Sequence, residues 1–142
     1  MKKVLFALAG FLLVTFAAQA QEDGAKLAKQ AGKALAAYNQ DPTNNKAKLA
    51  EAIQKTEEAM QTPEAQALAS AWLTKGDVYN RRLDSDLTAR VLNPAAPFTG
   101  DNDALLAFEA YRKAYENPTA KKYEKSDALK GIQTVQASLI NI

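Results

Sequence analysis

Four aspartates, Asp84, Asp86, Asp101 and Asp103, form two Asp-x-Asp pairs at the ends of a proline-containing stretch. Carboxylates so placed are able to ligate calcium, or to act as general acid and base on a glycosidic bond. The twelve-residue pattern of a calcium loop is absent, however, and acids beside turn residues are the common signature of helix caps and solvated loops. The pairs are therefore expected to cap and solvate, with no metal bound. The chain has no histidine and no cysteine. That excludes Ser–His and Cys–His nucleophiles, histidine-based metal sites, structural zinc and disulfides. No Gly-rich phosphate loop or cofactor fingerprint is present. The chain reads as a non-enzyme that needs no cofactor.

Residues 1–20 have the features of an export signal. Lys2 and Lys3 precede an uncharged apolar stretch at 4–16, and Ala18-Gln19-Ala20 supplies a small-x-small cleavage site, so cleavage is expected after Ala20. The stretch is shorter than the ~20 residues of a membrane-spanning helix. Residues 21–142 are expected to form one periplasmic or secreted domain without a membrane span. The 18 basic and 16 acidic residues of the full chain become sixteen of each once the two leader lysines are removed. A balanced charge gives no counterion-driven attraction to nucleic acid or anionic lipid.

The composition, rich in alanine, lysine, glutamine and leucine, favours helix. Five helices are expected. The first, at 23–39, carries Ala28, Ala31, Leu35 and Tyr38 on one face, and Asp41-Pro42 ends it. The second, at 44–61, has the stripe Leu49, Ala52, Ile53, Thr56 and Met60. Thr62 caps a third helix with Pro63 at its first position; it runs over 63–83 along Leu68, Trp72, Gly76, Tyr79 and Leu83. The fourth, at 102–117, buries Ala104, Ala107, Phe108, Tyr111, Ala114 and Tyr115, with Asp101 or Asn102 as cap. The fifth, at 123–139, has Leu129, Ile132, Val135 and Leu139 on one side. Residues 84–100 contain Pro94, Pro97 and Gly100 and are expected as a non-helical insertion, with Val91, Leu92 and Phe98 packed over the helices.

A pattern recurs within these helices. Ala52, Ala59, Pro63, Ala65, Lys75 and Gly76 are each matched 55 positions later by Ala107, Ala114, Pro118, Ala120, Lys130 and Gly131, with Thr56 and Tyr111 in the same slot. A spacing kept over six positions points to two copies of one helix–turn–helix unit. Residues 72–118 resemble a tetratricopeptide repeat: Trp72, Gly76 and Tyr79 stand at the spacing of the family's first helix, and Ala107, Tyr111, Ala114 and Pro118 resemble its second. The insertion interrupts the motif and Pro118 sits one residue early. Residues 24–63 resemble a more degenerate unit, and a further one opens near Ala120 with Gly131. The string at 107–116 is similar to exported tetratricopeptide proteins of Bacteroidetes-type bacteria.

The resemblance implies an all-α fold of stacked antiparallel helical hairpins, an α-solenoid. Trp72, Gly76, Tyr79, Ala107, Tyr111, Ala114, Pro118 and Gly131 would then be its packing residues. It further implies a concave surface where Leu73, Asp77, Asn80 and Arg81 meet a protein or peptide partner, Asn80 and Arg81 holding its backbone or carboxylate. The expected function is a non-catalytic interaction scaffold of the bacterial cell envelope. The alternative is self-association through Leu129, Ile132, Val135 and Leu139. Because the last helix has no second helix to cover it, a longer array with further downstream repeats is also expected.

Overall fold

The computed structural model describes residues 23–140. The expected leader lies outside them. Six helices and no strand occur among the described residues: α1 (Gly24–Gln40), α2 (Lys46–Ala59), α3 (Pro63–Gln66), α4 (Ala69–Leu92), α5 (Gly100–Glu116) and α6 (Lys122–Leu139). None is long and apolar enough to cross a membrane.

Capping chemistry sets several boundaries. Asp23 Oδ1 accepts from the Ala25 amide at 3.1 Å and starts α1. Asp41 then closes the turn to α2 by accepting from both the backbone and the side chain of Asn44. Thr62 Oγ1 accepts from the Ala65 amide at 3.3 Å and donates to the Ala59 carbonyl at 2.8 Å, so one hydroxyl ends α2 and begins α3.

The expected third helix is in fact two. Leu68 is extended between α3 and α4 and turns its side chain toward Leu27, Met60 and Ala71. Tertiary hydrogen bonds hold the break open: Trp72 Nε1 donates to the Gln66 carbonyl, and the Ala69 amide donates to Thr119 Oγ1. Nothing in Ala-Gln-Ala-Leu forbids helix locally, so packing overrides propensity here.

The insertion is also shorter than expected. Helix α4 continues through Asp84, Ser85 and Asp86 to Leu92 and stops at Asn93, before Pro94. Leu87, one turn beyond Leu83, keeps the stripe on the core, and Phe98 folds back onto it. Val91 and Leu92 were expected under cover and are instead 84% and 82% exposed, in the last turn of α4. Helix α5 begins at Gly100, with Asp101 and Asp103 in its first turn rather than as caps.

The core is built in three connected patches. Leu27, Ala28, Ala59, Met60, Ala65 and Ala71 form one near the α3 turn. Ala34, Leu35, Tyr38, Leu49, Ala52 and Val78 join α1, α2 and α4. Tyr79, Leu83, Ala104, Ala107, Tyr111, Ala114, Ala128 and Val135 join α4, α5 and α6. The alanines let backbones approach and the aromatics fill the space between them. On α6 the buried face is Ala128, Gly131 and Val135, while Leu129 and Leu139 stay half-exposed. The expected stripe is thus split: Val135 is buried and Ile132 packs on the core, so they are not free for self-association, whereas Leu129 and Leu139 face outward. Tyr115 likewise remains partly exposed.

Helix α4 is central. It packs against α1, α2, α5 and α6; α1 pairs with α2, and α5 with α6.

Candidate functional site

Asp77, Asn80, Arg81 and Asp84 occur at i, i+3, i+4 and i+7 on α4, a spacing that lines up one helix face. That face lies beside the core stripe of Gly76, Tyr79 and Leu83. Helix α1 brings Leu35 and Asn39 beside it, and α6 brings Thr134 and Ser138, each pair one turn apart. Together they enclose an open cleft of about 390 Å³ with Tyr111 at its floor.

Tyr111 reaches this cleft from α5, behind the layer. A Cβ added to Gly76 would lie 2.5 Å from its ring, and one added to Gly131 2.4 Å from it. The ring therefore passes between α4 and α6 through a slot that only two glycines leave open. Its hydroxyl emerges in the cleft and donates to Asp77 Oδ1 at 2.7 Å. The equivalent slot in the first unit holds Thr56, whose buried hydroxyl has no hydrogen-bond partner. There the Cβ of a substituted Gly32 would meet only Thr74, at 3.9 Å.

Burial and then the Asp77 charge push the Tyr111 hydroxyl well above its usual range, with Asn80 acting in the other direction. Asp77 is an exposed residue at the cleft mouth, with protein crowding one side of its carboxylate. Desolvation raises its pKa; the Tyr111 hydrogen bond opposes that and the Asp127 charge adds to it. Arg81 forms an ion pair with Asp84 and stacks over Tyr38, 5.4 Å from the ring centroid. Its Nε is buried without a partner.

A second cleft, about 440 Å³, continues along α4. Leu87, Thr88, Arg90, Val91 and Phe98 line it, and it shares Asp84 and Ser138 with the first. The Arg90 guanidinium lies 4.3 Å from the Phe98 ring centroid. The loop carrying Phe98 is tied down by Thr99, whose amide and hydroxyl donate to Asp86 Oδ2 at 3.0 and 2.8 Å. The pair of clefts forms one groove, polar at the Asp77 end and mixed at the Phe98 end, where Leu87, Val91 and Phe98 stand among Thr88 and Arg90.

Three of the four residues expected to meet a partner, Asp77, Asn80 and Arg81, line this groove. Leu73 does not; it packs against the core patch of Tyr79 and Tyr111. Asn39, Thr134 and Ser138 escaped the sequence reading, which placed Leu35 on a helix's apolar face and Tyr111 among the packing residues, neither of them in a groove. A signal for them exists: aligning Gly131 with Gly76 sets α6 beside α4, and Thr134 and Ser138 lie three and seven residues beyond Gly131.

The four aspartates that first suggested chemistry have structural partners. Asp103 is fully buried and takes a fork of two hydrogen bonds from Arg82, one at 2.6 Å from Nε. That contact raises the Arg82 pKa. Asp103 also accepts from Thr99 Oγ1 at 3.0 Å. Asp86 holds Thr99 and Asp84 holds Arg81. Among the described residues no group of three histidine, cysteine, aspartate or glutamate side chains is placed to hold a metal.

The expected packing residues fall in different places. Ala107 and Ala114 are fully buried, and Tyr79 donates to Glu57 Oε1 at 2.6 Å. Trp72 is half-buried under Lys113, whose Nζ lies 4.3 Å from the ring centroid. Pro118 is exposed in the turn before α6.

Compared with known proteins, the chain matches no family profile, no curated sequence and no solved structure.

Proposed function

We propose that this chain is a tetratricopeptide-like interaction scaffold that binds an extended segment of a partner protein, without catalysing a reaction, in the groove along α1, α4 and α6. The carrying observation is the groove itself: one face of α4 and one turn each of α1 and α6 present Asn39, Asp77, Asn80, Arg81, Thr134 and Ser138 to a common space. Amide, hydroxyl and guanidinium groups so spaced suit the repeating N–H and C=O of a peptide backbone. The stacked-hairpin reading is supported by neighbour order: α1, α4 and α6 follow one another on one side, with α2 and α5 behind. The leader-like residues 1–20 support a cell-envelope location.

A photo-crosslinking residue at position 80 in the full chain tests this in the cells of origin. It is expected to capture a defined polypeptide, whereas one at the exposed Glu109 position on α5 captures none. Equal capture at both positions, or none at 80, would overturn the reading.

A second reading is favoured by a different surface. Leu105, Leu129, Leu139 and Ile140 are between 46% and 85% exposed on the outer flank of α5 and α6. Leu105, Phe108 and Leu139 also line an apolar cleft there. Self-association across this flank would appear as concentration-dependent sedimentation that Leu105→Ser together with Leu139→Ser removes.

A further inference from the structure

The polar end of the groove contains a carboxylate without a counter-charge. The Asp77 side chain is bonded to the Tyr111 hydroxyl, and no lysine or arginine among the described residues is within ion-pair distance of it. Arg81, on the same face, is committed to Asp84, and Lys130 to Asp127 at 3.6 Å. Asp77 is exposed at the cleft mouth, where the protein around it partly desolvates its charge and Asp127 adds repulsion. A charge in this setting gains more from an opposite charge than one in open water. At the other end, Leu87, Val91 and Phe98 supply the apolar part of a mixed lining, with the Arg90 guanidinium over one face of the Phe98 ring.

We propose that the groove recognises a basic peptide segment, with a lysine or arginine side chain at Asp77 and an apolar side chain over Leu87 and Phe98. The inference rests on the groove reading above and reverses the charge of the ligand that the Asn80–Arg81 pair alone suggests. The geometry also sets a spacing. Leu87 follows Asp77 by ten residues on one helix, about 15 Å at 1.5 Å per residue. An extended peptide rising about 3.3 Å per residue covers that distance in about four to five residues. The two anchors are therefore separated by that interval in the partner.

Selection of a fully random dodecapeptide display library on the full chain tests both charge and spacing. Enriched peptides are expected to carry lysine or arginine about four to five positions from a leucine, isoleucine or aromatic residue. Asp77→Asn, which keeps an acceptor for Tyr111, should weaken those peptides about tenfold, the order expected for a charge-assisted contact. Circular dichroism on the same sample checks that it stays folded. Enrichment of acidic peptides that are lost with Asn80→Ala and Arg81→Ala would overturn the cationic inference and leave the groove standing. Lysine-rich peptides with no apolar position, bound equally by Asp77→Asn, would also overturn it. No enrichment, or binding indifferent to all three substitutions, would overturn the groove reading as well.

Discussion

At the scale of single residues, Tyr111 connects packing to the site. Its ring is clasped between two glycines and its hydroxyl sets the position of Asp77. Alanine at position 76 would gain about 1 kcal/mol of helix propensity. It would also drive a methyl group into a ring that cannot retreat, because Gly131 closes the other side. Overpacking of this kind costs about 1–3 kcal/mol, so Gly76→Ala is expected to destabilise the fold on balance. In a Tyr111→Leu background the same substitution should become neutral or stabilising. Denaturant melts followed by Trp72 fluorescence measure both cases, and equal effects in the two backgrounds would refute the clasp.

Asp77 gives a pH dependence with a defined sign. Its folded pKa is raised, so the fold prefers the neutral acid. That preference contributes fully below the unfolded value of about 3.9 and is lost as pH rises through the folded value. At pH 7 the native chain therefore carries a desolvated charge that Asp77→Asn lacks. The variant should have the higher melting temperature at pH 7, and the gap should close toward about pH 4. A gap that is constant with pH would contradict a raised Asp77 pKa.

At the scale of elements, the apolar stripes of α1, α2 and α5 were legible because their period is regular and their ends carry Asp41-Pro42, Thr62-Pro63 and Asn117-Pro118. Helix α4 was not. Its start is fixed by hydrogen bonds from Trp72 and Ala69 to residues six and fifty positions away, which no local pattern encodes. Its end was readable, since Asn93 precedes Pro94 and Leu87 extends the stripe one turn past Leu83. The prolines and glycine of the segment cluster after Asn93, so the Asp84–Leu92 turns have no breaker among them. The same helix end shows why the aspartates looked chemical: Asp103 and Asp86 fasten α5 and its loop to α4. Asp103→Ala would leave Arg82 without its partner in a site where Arg82 is only 29% exposed. The loss should be about 3 kcal/mol, the lower end for a broken buried pair, because Arg82 retains some water. Chemical denaturation checks this, and a loss below about 1 kcal/mol would mean that the pair behaves as a surface bridge.

At the scale of the whole molecule, the pattern that recurs 55 positions apart matches Gly131 on α6 with Gly76 on α4, and both face the Tyr111 ring. One face each of α1, α4 and α6 borders a shared groove, and three of the four residues expected from α4 alone line it. The α1 and α6 walls required knowing which helices are neighbours. The outer flank of α5 and α6, with its exposed leucines, is the competing surface. Amide chemical-shift mapping on the isotope-labelled full chain, titrated with the tightest peptide from the library selection, separates the two most directly. Shifts concentrated at Asn39, Asp77, Asn80, Arg81, Thr134 and Ser138 are expected if the groove is the binding site. Shifts confined to Leu105, Leu129 and Leu139, with the groove silent, would contradict it.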